Sequence, residues 1–322
     1  MAGNIFRVVF TILCLICITF TEAAAAKNKN KPKKAKAKTA AVVFPASPPT
    51  ALVIDMDSGK VLHAVNHKEL IYPASLTKLA TAYMVFEALE AGQLSMDEYI
   101  TVSKRAEREL PCKLGLKAGE MIKVEDAING LTIKSANDAA VALGERIAGT
   151  EEKFVKLMTA RARSLGMNDT VFRRASGWHH PEQHTTATDL AKLTMGLKRD
   201  FPQYYHLFAK SSFEFRGKTI RGHNPVTENY IGATGGKTGF TCPSGFNLVT
   251  TAERNGKRLL GIVTGSRTAA SRNQKMVTLL DQHFGVQAPY AKAIAKKPVQ
   301  LASNKVAKKK SGKLRGARRI AV

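Results

Sequence analysis

Three short motifs contain the side chains of this 322-residue chain that are best suited to covalent chemistry. In chain order the motifs are Ser75-x-x-Lys78, Ser135-x-Asn137 and Lys237-Thr238-Gly239. A serine hydroxyl is a weak nucleophile until a neighbouring base removes its proton, and lysine is that base in one class of acyl-transfer enzymes. Another Ser-x-Asn, at Ser271, follows Lys237 and is therefore out of order. The three motifs in this order predict a serine acyl-transfer site that uses lysine where other hydrolases use histidine.

Ser75 and Lys78 lie where a helix is expected to begin. Pro73 precedes Ser75 by two residues, and proline favours the first turn of a helix. Residues three apart share a helix face, which brings the hydroxyl and the amine together. Lysine is protonated at its ordinary pKa, so burial or a second cation such as Lys237 must lower the pKa of Lys78. The backbone N–H of Ser75 would then bind a developing oxyanion, whereas a simple helix cap is the alternative role for this serine.

Ser135 and Asn137 fall between two predicted helices, where a short loop would direct both side chains into a cleft. A serine hydroxyl can relay a proton, and an asparagine amide can hold a substrate carbonyl and a lysine at once. Helix capping is the alternative role, since both residue types often begin helices. We therefore expect Ser135 to be catalytic and Asn137 to bind substrate.

The third motif is predicted to form an edge strand that binds the substrate. The ammonium of Lys237 and the hydroxyl of Thr238 suit a carboxylate at the end of a substrate. Gly239 lacks a side chain and would let a ligand approach the backbone closely. Phe240 follows and is expected to supply a second N–H to the oxyanion.

Hydrophobic periodicity and turn signals predict the elements that must hold these motifs. Two hairpins are expected, and the second turns at Asn255-Gly256, a dipeptide suited to positive φ at both turn positions. The predicted strands are Ala51 to Asp55, Val61 to Val65, Phe246 to Glu253 and Arg258 to Gly265, and the predicted helices are Leu76 to Leu89, Val124 to Ile133, Asp138 to Ile147, Glu151 to Leu165, Thr188 to Leu197 and Ala269 to Phe284. This order predicts a mixed α/β (α+β) fold in which an antiparallel sheet is flanked by helices and carries a helical subdomain, with the active site in the cleft between them.

The N-terminus has the pattern of a secretory signal peptide. Arg7 is followed by an apolar run from Val8 to Phe20 and by small residues up to Ala26. A run of about 13 apolar residues is too short for a bilayer core, which needs about 20. We therefore expect residues 1–26 to be removed on export.

Much of the net charge of +25 lies near the two ends of the chain. Seven lysines lie in residues 27–38, and eleven Lys or Arg without any acid lie in residues 292–319. Segments 27–44 and 286–322 are therefore predicted to be disordered and basic, leaving residues 45–285 as the catalytic domain. These tails are poor in aromatic residues for stacking on bases, so we expect no nucleic-acid function and instead contact with an anionic membrane or cell wall.

The cysteines and histidines of the sequence do not form a pattern typical of a metal or cofactor site. Cys112 and Cys242 remain after loss of the signal peptide and either pair in an oxidising compartment or stay as thiols. The cluster of His179, His180 and His184 matches neither common zinc-protease spacing, and a proline within it would interrupt a helix. We expect a surface loop there, with no metal and no cofactor.

Together the motifs resemble those of the serine D-Ala-D-Ala carboxypeptidases, the low-molecular-weight penicillin-binding proteins. The resemblance spans about residues 45–285 and is carried by residues 72–89, 117–120, 135–143 and 236–241. It implies the fold of the β-lactamase and transpeptidase superfamily. With the signal peptide, it predicts an exported, periplasmic protein, and the basic tails would hold such a protein at the periphery of the membrane if they bind anionic lipid.

By this resemblance, Ser75 forms the acyl-enzyme, Lys78 takes its proton and Ser135 relays a proton to the leaving D-alanine. The implied reaction removes the last D-alanine from peptidoglycan pentapeptides, so peptidoglycan stem peptides are the implied partners and β-lactam antibiotics the implied inhibitors. Lys237 and Thr238 would hold the terminal carboxylate while the asparagine of the second motif positions the peptide.

One departure from the family pattern concerns the carboxylate site. Relatives often have an arginine after a His-Asn pair upstream of the lysine motif, but here His223 and its asparagine are followed by Pro225. Arg221 is therefore the expected substitute.

Three other functions compete with this interpretation. A DD-endopeptidase that cuts peptidoglycan cross-links would use the same motifs, and the sequence does not separate the two activities. A β-lactamase is disfavoured because no Glu-x-x-Leu-Asn segment supplies a deacylating carboxylate. A non-catalytic cell-wall binding protein would not need the intact nucleophile and lysine.

Overall fold

The structure is a computed structural model that describes residues 46–286. The predicted signal peptide (1–26), the predicted linker (27–44) and all but the first residue of the predicted tail (286–322) lie outside the described residues. Within the described part of the chain, no helix is both long and apolar enough to cross a membrane.

Strands and helices alternate in blocks along the chain. The strands are β1 (Thr50–Asp55), β2 (Val61–Val65), β3 (Tyr99–Thr101), β4 (Met121–Lys123), β5 (Ser212–Phe215), β6 (Lys218–Arg221), β7 (Ala233–Thr241), β8 (Gly245–Arg254) and β9 (Lys257–Ser266). The α-helices are α1 (Lys78–Glu90), α2 (Lys104–Glu107), α3 (Val124–Asn129), α4 (Asn137–Ala148), α5 (Glu151–Ser164), α6 (Ala187–Asp200), α7 (Pro202–Tyr205), α8 (Pro225–Asn229) and α9 (Ala269–Phe284).

The main sheet has five strands in the order β2-β1-β9-β8-β7, and every neighbouring pair is antiparallel. Both predicted hairpins are present. Asn255 and Gly256 take φ values of 51° and 75° between β8 and β9, as a two-residue hairpin turn requires. β7 is an edge strand, as predicted for the segment that contains Lys237.

Helices cover both faces of this sheet, which explains why its central strands are apolar on both sides. Successive residues of a strand point to opposite faces. Leu52 of β1 belongs to the large core that the helical region shares, whereas Val53 packs with Met276 of α9 on the other face. Gly261 of β9 allows this close packing, because a Cβ there would lie 2.5 Å from the sulfur of Met276.

The helical region surrounds α1, which is buried on nearly all sides. Leu79, Val85 and Phe86 of this helix are at most 1% exposed and pack into the large core. α4 and α5 pack closely because Gly144 faces Phe154, where a Cβ would lie 2.5 Å from the ring. The predicted antiparallel sheet with helices and a helical subdomain is therefore confirmed.

Two predicted helices differ from the structure at the motifs themselves. The helix expected from Leu76 begins with a 3₁₀ turn, Ala74–Thr77, and becomes α-helical at Lys78. The helix expected over Val124 to Ile133 is α3 followed by a π-helical turn, Gly130–Lys134. Such turns change how side chains project, and they occur often at functional sites. The strand pair β3–β4 and the short hairpin β5–β6 were missed, since strands of three or four residues show too little alternation to detect.

Candidate active site

The nucleophile motif forms a tight turn at the start of α1. Ala74 has φ 48°, an uncommon value for a residue with a side chain, and Ser75 follows within the 3₁₀ turn. Lys78 Nζ lies 3.0 Å from Ser75 Oγ, so the predicted contact between amine and hydroxyl is present. The two groups are within direct proton-transfer distance.

Lys78 is fully buried and has two further acceptors. Its Nζ donates to Asn137 Oδ1 at 2.7 Å and to the backbone carbonyl of Ser176 at 2.5 Å. Burial lowers the pKa of Lys78 to about 7, against the opposing effects of Cys112, Glu109 and Asp138. Burial disfavours the ammonium because its charge loses the solvation of water.

These three contacts match the hydrogen-bonding capacity of Lys78 in both protonation states. An ammonium donates three hydrogen bonds, whereas a neutral amine donates two and has one lone pair. The carbonyl of Ser176 and Oδ1 of Asn137 can only accept, so both keep a donor in either state. The lone pair of the neutral amine is therefore left to face the hydroxyl of Ser75, which is the arrangement a general base needs.

The second motif lies between the π turn and α4. Ser135 has φ 62°, a left-handed conformation that is strained for serine, and its Oγ accepts a hydrogen bond from Lys237 Nζ at 2.8 Å. Asn137 is the first residue of α4, and its Nδ2 donates to the carbonyl of Leu110 at 2.7 Å. This bond fixes the amide so that Oδ1 faces Lys78. Ser135 and Asn137 therefore both contact lysines of the other motifs.

Lys237 and Thr238 lie in edge strand β7 and are only 2% and 5% exposed. Lys237 Nζ also donates to the carbonyl of Thr238 at 3.0 Å. Burial, followed by the charge of Lys78, lowers the pKa of Lys237 well below its usual value, and Arg272 acts in the same direction. Two buried lysines and a buried arginine thus form a site that favours an anion.

Gly239 lies against the nucleophile turn. A Cβ at Gly239 would lie 3.1 Å from the backbone N of Ser75 and from the carbonyl of Pro73. The missing side chain therefore lets the nucleophile turn approach β7. Phe240 is half-exposed and stacks on Phe246 with ring centroids 4.2 Å apart.

Asn247 supports the nucleophile turn and was missed in the sequence. It is fully buried on β8, and its Nδ2 donates to the carbonyls of Tyr72 and Pro73 at 3.3 and 3.5 Å. Its Oδ1 accepts the N–H of Gly265 at 3.0 Å, and its carbonyl accepts from Arg272 at 3.1 Å. A lone asparagine within an apolar strand has no local pattern that would reveal these long-range contacts.

The Ser-x-Asn motif at Ser271 has a structural role. Ser271 forms a capping box with Thr268 at the start of α9. Asn273 Oδ1 accepts two bonds from Arg272, at 3.0 and 2.8 Å. Ser271 and Asn273 therefore cap a helix and orient Arg272. Burial lowers the pKa of Arg272 to about 10.

Asp138 orders the loop that passes beside the site. This fully buried carboxylate accepts the N–H groups of Leu114, Gly115 and Leu116 at 2.8 to 3.0 Å. The preceding part of the loop includes Cys112, whose carbonyl accepts the N–H at the start of α4 at 2.7 Å. Asp138 follows the second motif directly in the sequence, and that adjacency was the only available signal for it.

The remaining candidate residues lie in loops or at the surface. Cys112 and Cys242 are exposed, unpaired thiols. His179 packs edge-on against Tyr72 with ring centroids 4.8 Å apart. Arg221 is exposed at the end of β6, whereas the buried Arg272 is the arginine whose charge acts on the lysine of the third motif. Within residues 46–286, no group of three or more His, Cys, Asp or Glu side chains is arranged to hold a metal ion.

Comparison with known proteins identifies the family. The D-alanyl-D-alanine carboxypeptidase family matches residues 35–268. The chain is 34% identical over 252 residues to the D-alanyl-D-alanine carboxypeptidase DacD of Salmonella typhimurium, covering 74% of this chain and 65% of that protein. It is 35% identical over 240 residues to DacC of Escherichia coli, covering 72% and 60%. The chain thus spans less than two thirds of the length of these curated relatives.

Solved structures give the same result. Penicillin-binding protein 5 of Haemophilus influenzae superimposes with a TM-score of 0.71 and 32% identity, covering 76% of this chain and 73% of that chain. The cefotaxime-bound penicillin-binding protein D2 of Listeria monocytogenes superimposes with a TM-score of 0.67 and 31% identity, covering 75% and 98%. On sequence and fold together, this chain belongs to the D-alanyl-D-alanine carboxypeptidase family.

Proposed function

We propose that this protein is a penicillin-sensitive serine DD-carboxypeptidase that removes the terminal D-alanine from peptidoglycan pentapeptides. The observation that carries the proposal is the 3.0 Å contact between Ser75 Oγ and Lys78 Nζ, with the lysine fully buried and its pKa lowered to about 7. A lysine in this state is about half neutral near pH 7 and can act as a general base. Membership of the family supports the same reaction.

Acylation begins with proton transfer from Ser75 to the neutral amine of Lys78. Ser75 Oγ attacks the carbonyl carbon of the penultimate D-alanine and forms a tetrahedral intermediate. The N–H groups of Ser75 and Phe240 stabilise its oxyanion, because backbone donors that are already in position need no reorganisation. The close approach of Gly239 to the Ser75 backbone N supports this pairing of turn and strand.

Collapse of the intermediate requires a proton on the leaving amine of D-alanine. Ser135 relays the proton that Lys78 took from Ser75, since its hydroxyl can accept a proton from one group while donating its own to another. Lys78 is then neutral again. The 2.8 Å bond from Lys237 to Ser135 Oγ holds the hydroxyl in place. Water then hydrolyses the ester on Ser75, with Lys78 again as the base.

The substrate carboxylate binds to Lys237 and Thr238, and Asn137 positions the peptide. Burial, followed by the charge of Lys78, lowers the pKa of Lys237. An incoming carboxylate supplies the opposite charge and favours the ammonium form. Substrates that lack a free terminal carboxylate are therefore poor ligands.

The cellular setting follows from the segments outside the described residues. We propose that residues 1–26 direct export and are removed, that residues 45–285 form the catalytic domain, and that the basic segments 27–44 and 286–322 contact anionic membrane or cell-wall polymer. The net charge of +25 supports this contact. Mass spectrometry of the exported protein tests the removal of residues 1–26. An exported protein that still begins at residue 1 would contradict it.

Release of D-alanine from a pentapeptide, measured beside labelling by a fluorescent penicillin, tests the function. Wild type is expected to do both, and Ser75→Ala to do neither while keeping its circular dichroism spectrum. Labelling that survives Ser75→Ala removes this serine from its proposed role. Cleavage of cross-links between stem peptides, without release of D-alanine from pentapeptides, would instead identify a DD-endopeptidase.

A further inference from the structure

Ser176 connects the base Lys78 to a buried carboxylate. Ser176 is fully buried in the loop between α5 and α6. Its backbone carbonyl accepts from Lys78 Nζ at 2.5 Å, and its hydroxyl donates to Glu109 Oε2 at 2.9 Å. A continuous series of contacts therefore runs from Ser75 through Lys78 and Ser176 to Glu109.

Glu109 is only 6% exposed and belongs to a network of charges. Its Oε1 pairs with Arg105 at 2.6 Å, and Arg105 pairs with Glu151 Oε2, also at 2.6 Å. The other oxygen of Glu151 accepts the N–H of Ala175 at 3.0 Å. The network thus holds the loop at two successive residues, Ala175 and Ser176. Buried carboxylates need such partners, because an unpaired buried charge is strongly destabilising.

The same loop packs directly on the nucleophile turn. Gly177 has φ 78°, and a Cβ there would lie 2.0 Å from the carbonyl oxygen of Ala74. Thr81 of α1 donates to the carbonyl of Ala175 at 2.7 Å. A shift of this loop would therefore move the acceptor of Lys78 relative to the nucleophile.

We propose that Glu109, acting through Ser176, is the positioning residue of the nucleophile and base pair. Glu109 fixes the Ser176 carbonyl that orients Lys78, and it supplies negative charge behind the base. A nucleophile and a base completed by a third, orienting group is a general arrangement in covalent catalysis. The inference deepens the proposed function and depends on it.

The charge of Glu109 also has a predictable effect on the protonation of Lys78. Burial lowers the pKa of Lys78 to about 7, and Cys112, Glu109 and Asp138 each raise it against that effect. Lys237 and His223 are also coupled to Lys78. Burial lowers the pKa values of both residues, and nearby cations, including Lys78, lower them further. Removing the charge of Glu109 therefore lowers the pKa of Lys78 further and makes the base neutral at lower pH.

Glu109→Gln tests the effect of the charge, because glutamine keeps an oxygen that can accept from Ser176. The rate of acylation by a fluorescent penicillin is measured from pH 5 to 9. The midpoint of its rise is expected to move to lower pH by about half a unit or more, the size of effect a nearby charge produces. Glu107→Gln is the matched control: it removes an acid two residues away, at the end of α2, where Glu107 pairs with the exposed Lys117.

Ser176→Ala tests positioning without changing charge. It keeps Glu109 and the backbone carbonyl but removes the hydroxyl that joins them. The plateau rate of acylation is expected to fall about tenfold, as small misplacements of catalytic groups do. The pH midpoint is expected to stay near that of wild type.

The outcomes separate this inference from the proposed function. Wild-type protein that takes up no penicillin contradicts the proposed function itself. The role of the Glu109 charge is contradicted if wild type is labelled and the pH midpoint of acylation is the same in wild type, Glu109→Gln and Glu107→Gln. A plateau unchanged in Ser176→Ala contradicts the positioning role. If Glu109→Gln does not fold, the plateau rate of acylation in Ser176→Ala tests the proposal.

Discussion

Replacing Lys78 by methionine should change how the stability of the protein depends on pH. Burial lowers the pKa of this lysine from 10.5 in the unfolded chain to about 7 in the folded protein. Between these values the unfolded chain binds more protons than the folded protein, so the free energy of unfolding of wild type rises with pH. Below pH 7 both states hold the proton, and the full penalty for burying the ammonium is present. Lys78→Met has no such group.

The size of the effect follows from the two pKa values. Moving wild type from pH 7 to pH 9.5 relieves about 3 kcal/mol of this penalty, at about 1.4 kcal/mol for each pKa unit. The stability of wild type relative to Lys78→Met should therefore increase by about 3 kcal/mol over that range. The unpaired acceptors left by methionine, Asn137 Oδ1 and the Ser176 carbonyl, change the offset between the two proteins but not this slope.

Urea unfolding followed by circular dichroism at several pH values measures the two free energies. The difference is the useful quantity, because the exposed lysines are present in both proteins and largely cancel. Lys78→Met should also take up no penicillin. A stability difference that stays constant from pH 7 to pH 9.5 would show that the folded lysine titrates normally, and the argument for a neutral base would be lost.

Two substitutions and one thiol titration test the surroundings of the site. Gly239→Ala places a Cβ 3.1 Å from the backbone N of Ser75. Because it displaces the turn, it should slow penicillin acylation at least about tenfold. Acylation at the wild-type rate would show that the turn can move without loss of activity. Asn247→Ala removes the donor to the residues before Ser75 and the acceptor for Gly265. It should lower the acylation rate, and in a denaturation experiment it should lower the free energy of unfolding by about 1 to 3 kcal/mol. An unchanged free energy of unfolding would contradict this prediction. Titration of unreduced, folded protein with a thiol reagent should find Cys112 and Cys242 both reactive, since both are exposed and unpaired, and a count of no thiols would indicate a disulfide.

Much of the fold could be predicted because its larger elements have strong local patterns. β1, β8 and β9 are long apolar strands, and Asn255-Gly256 marks the hairpin between the last two. α5 and α9 have clear start signals in Thr150 and Thr268, which cap their first turns. Strands β3 to β6 were missed because they have three or four residues each and are stabilised by what they pack against.

The residues that bring the motifs together could not be predicted. Asn247 contacts Tyr72 from a strand 175 residues away in the chain, and Glu109 contacts Ser176 from 67 residues away. Single buried polar residues carry no periodicity and no motif, so only the folded chain reveals their partners. Gly239 illustrates the same limit, since its place in the motif was visible but the backbone that occupies its empty side was not.

The chemistry available to this protein could be recognised from its residues alone: a hydroxyl and an amine three residues apart, an amide, and a second lysine, in an order typical of one family. Residue type and short spacing are local properties, so they can be read directly from the chain. The tertiary structure decided whether that chemistry can operate near neutral pH. Complete burial of Lys78, two acceptors from distant segments and a left-handed Ser135 arise only when the helical region closes against the edge of the sheet. The pKa of a lysine depends on the solvent and charges around it, and these are set by contacts between residues far apart in the sequence.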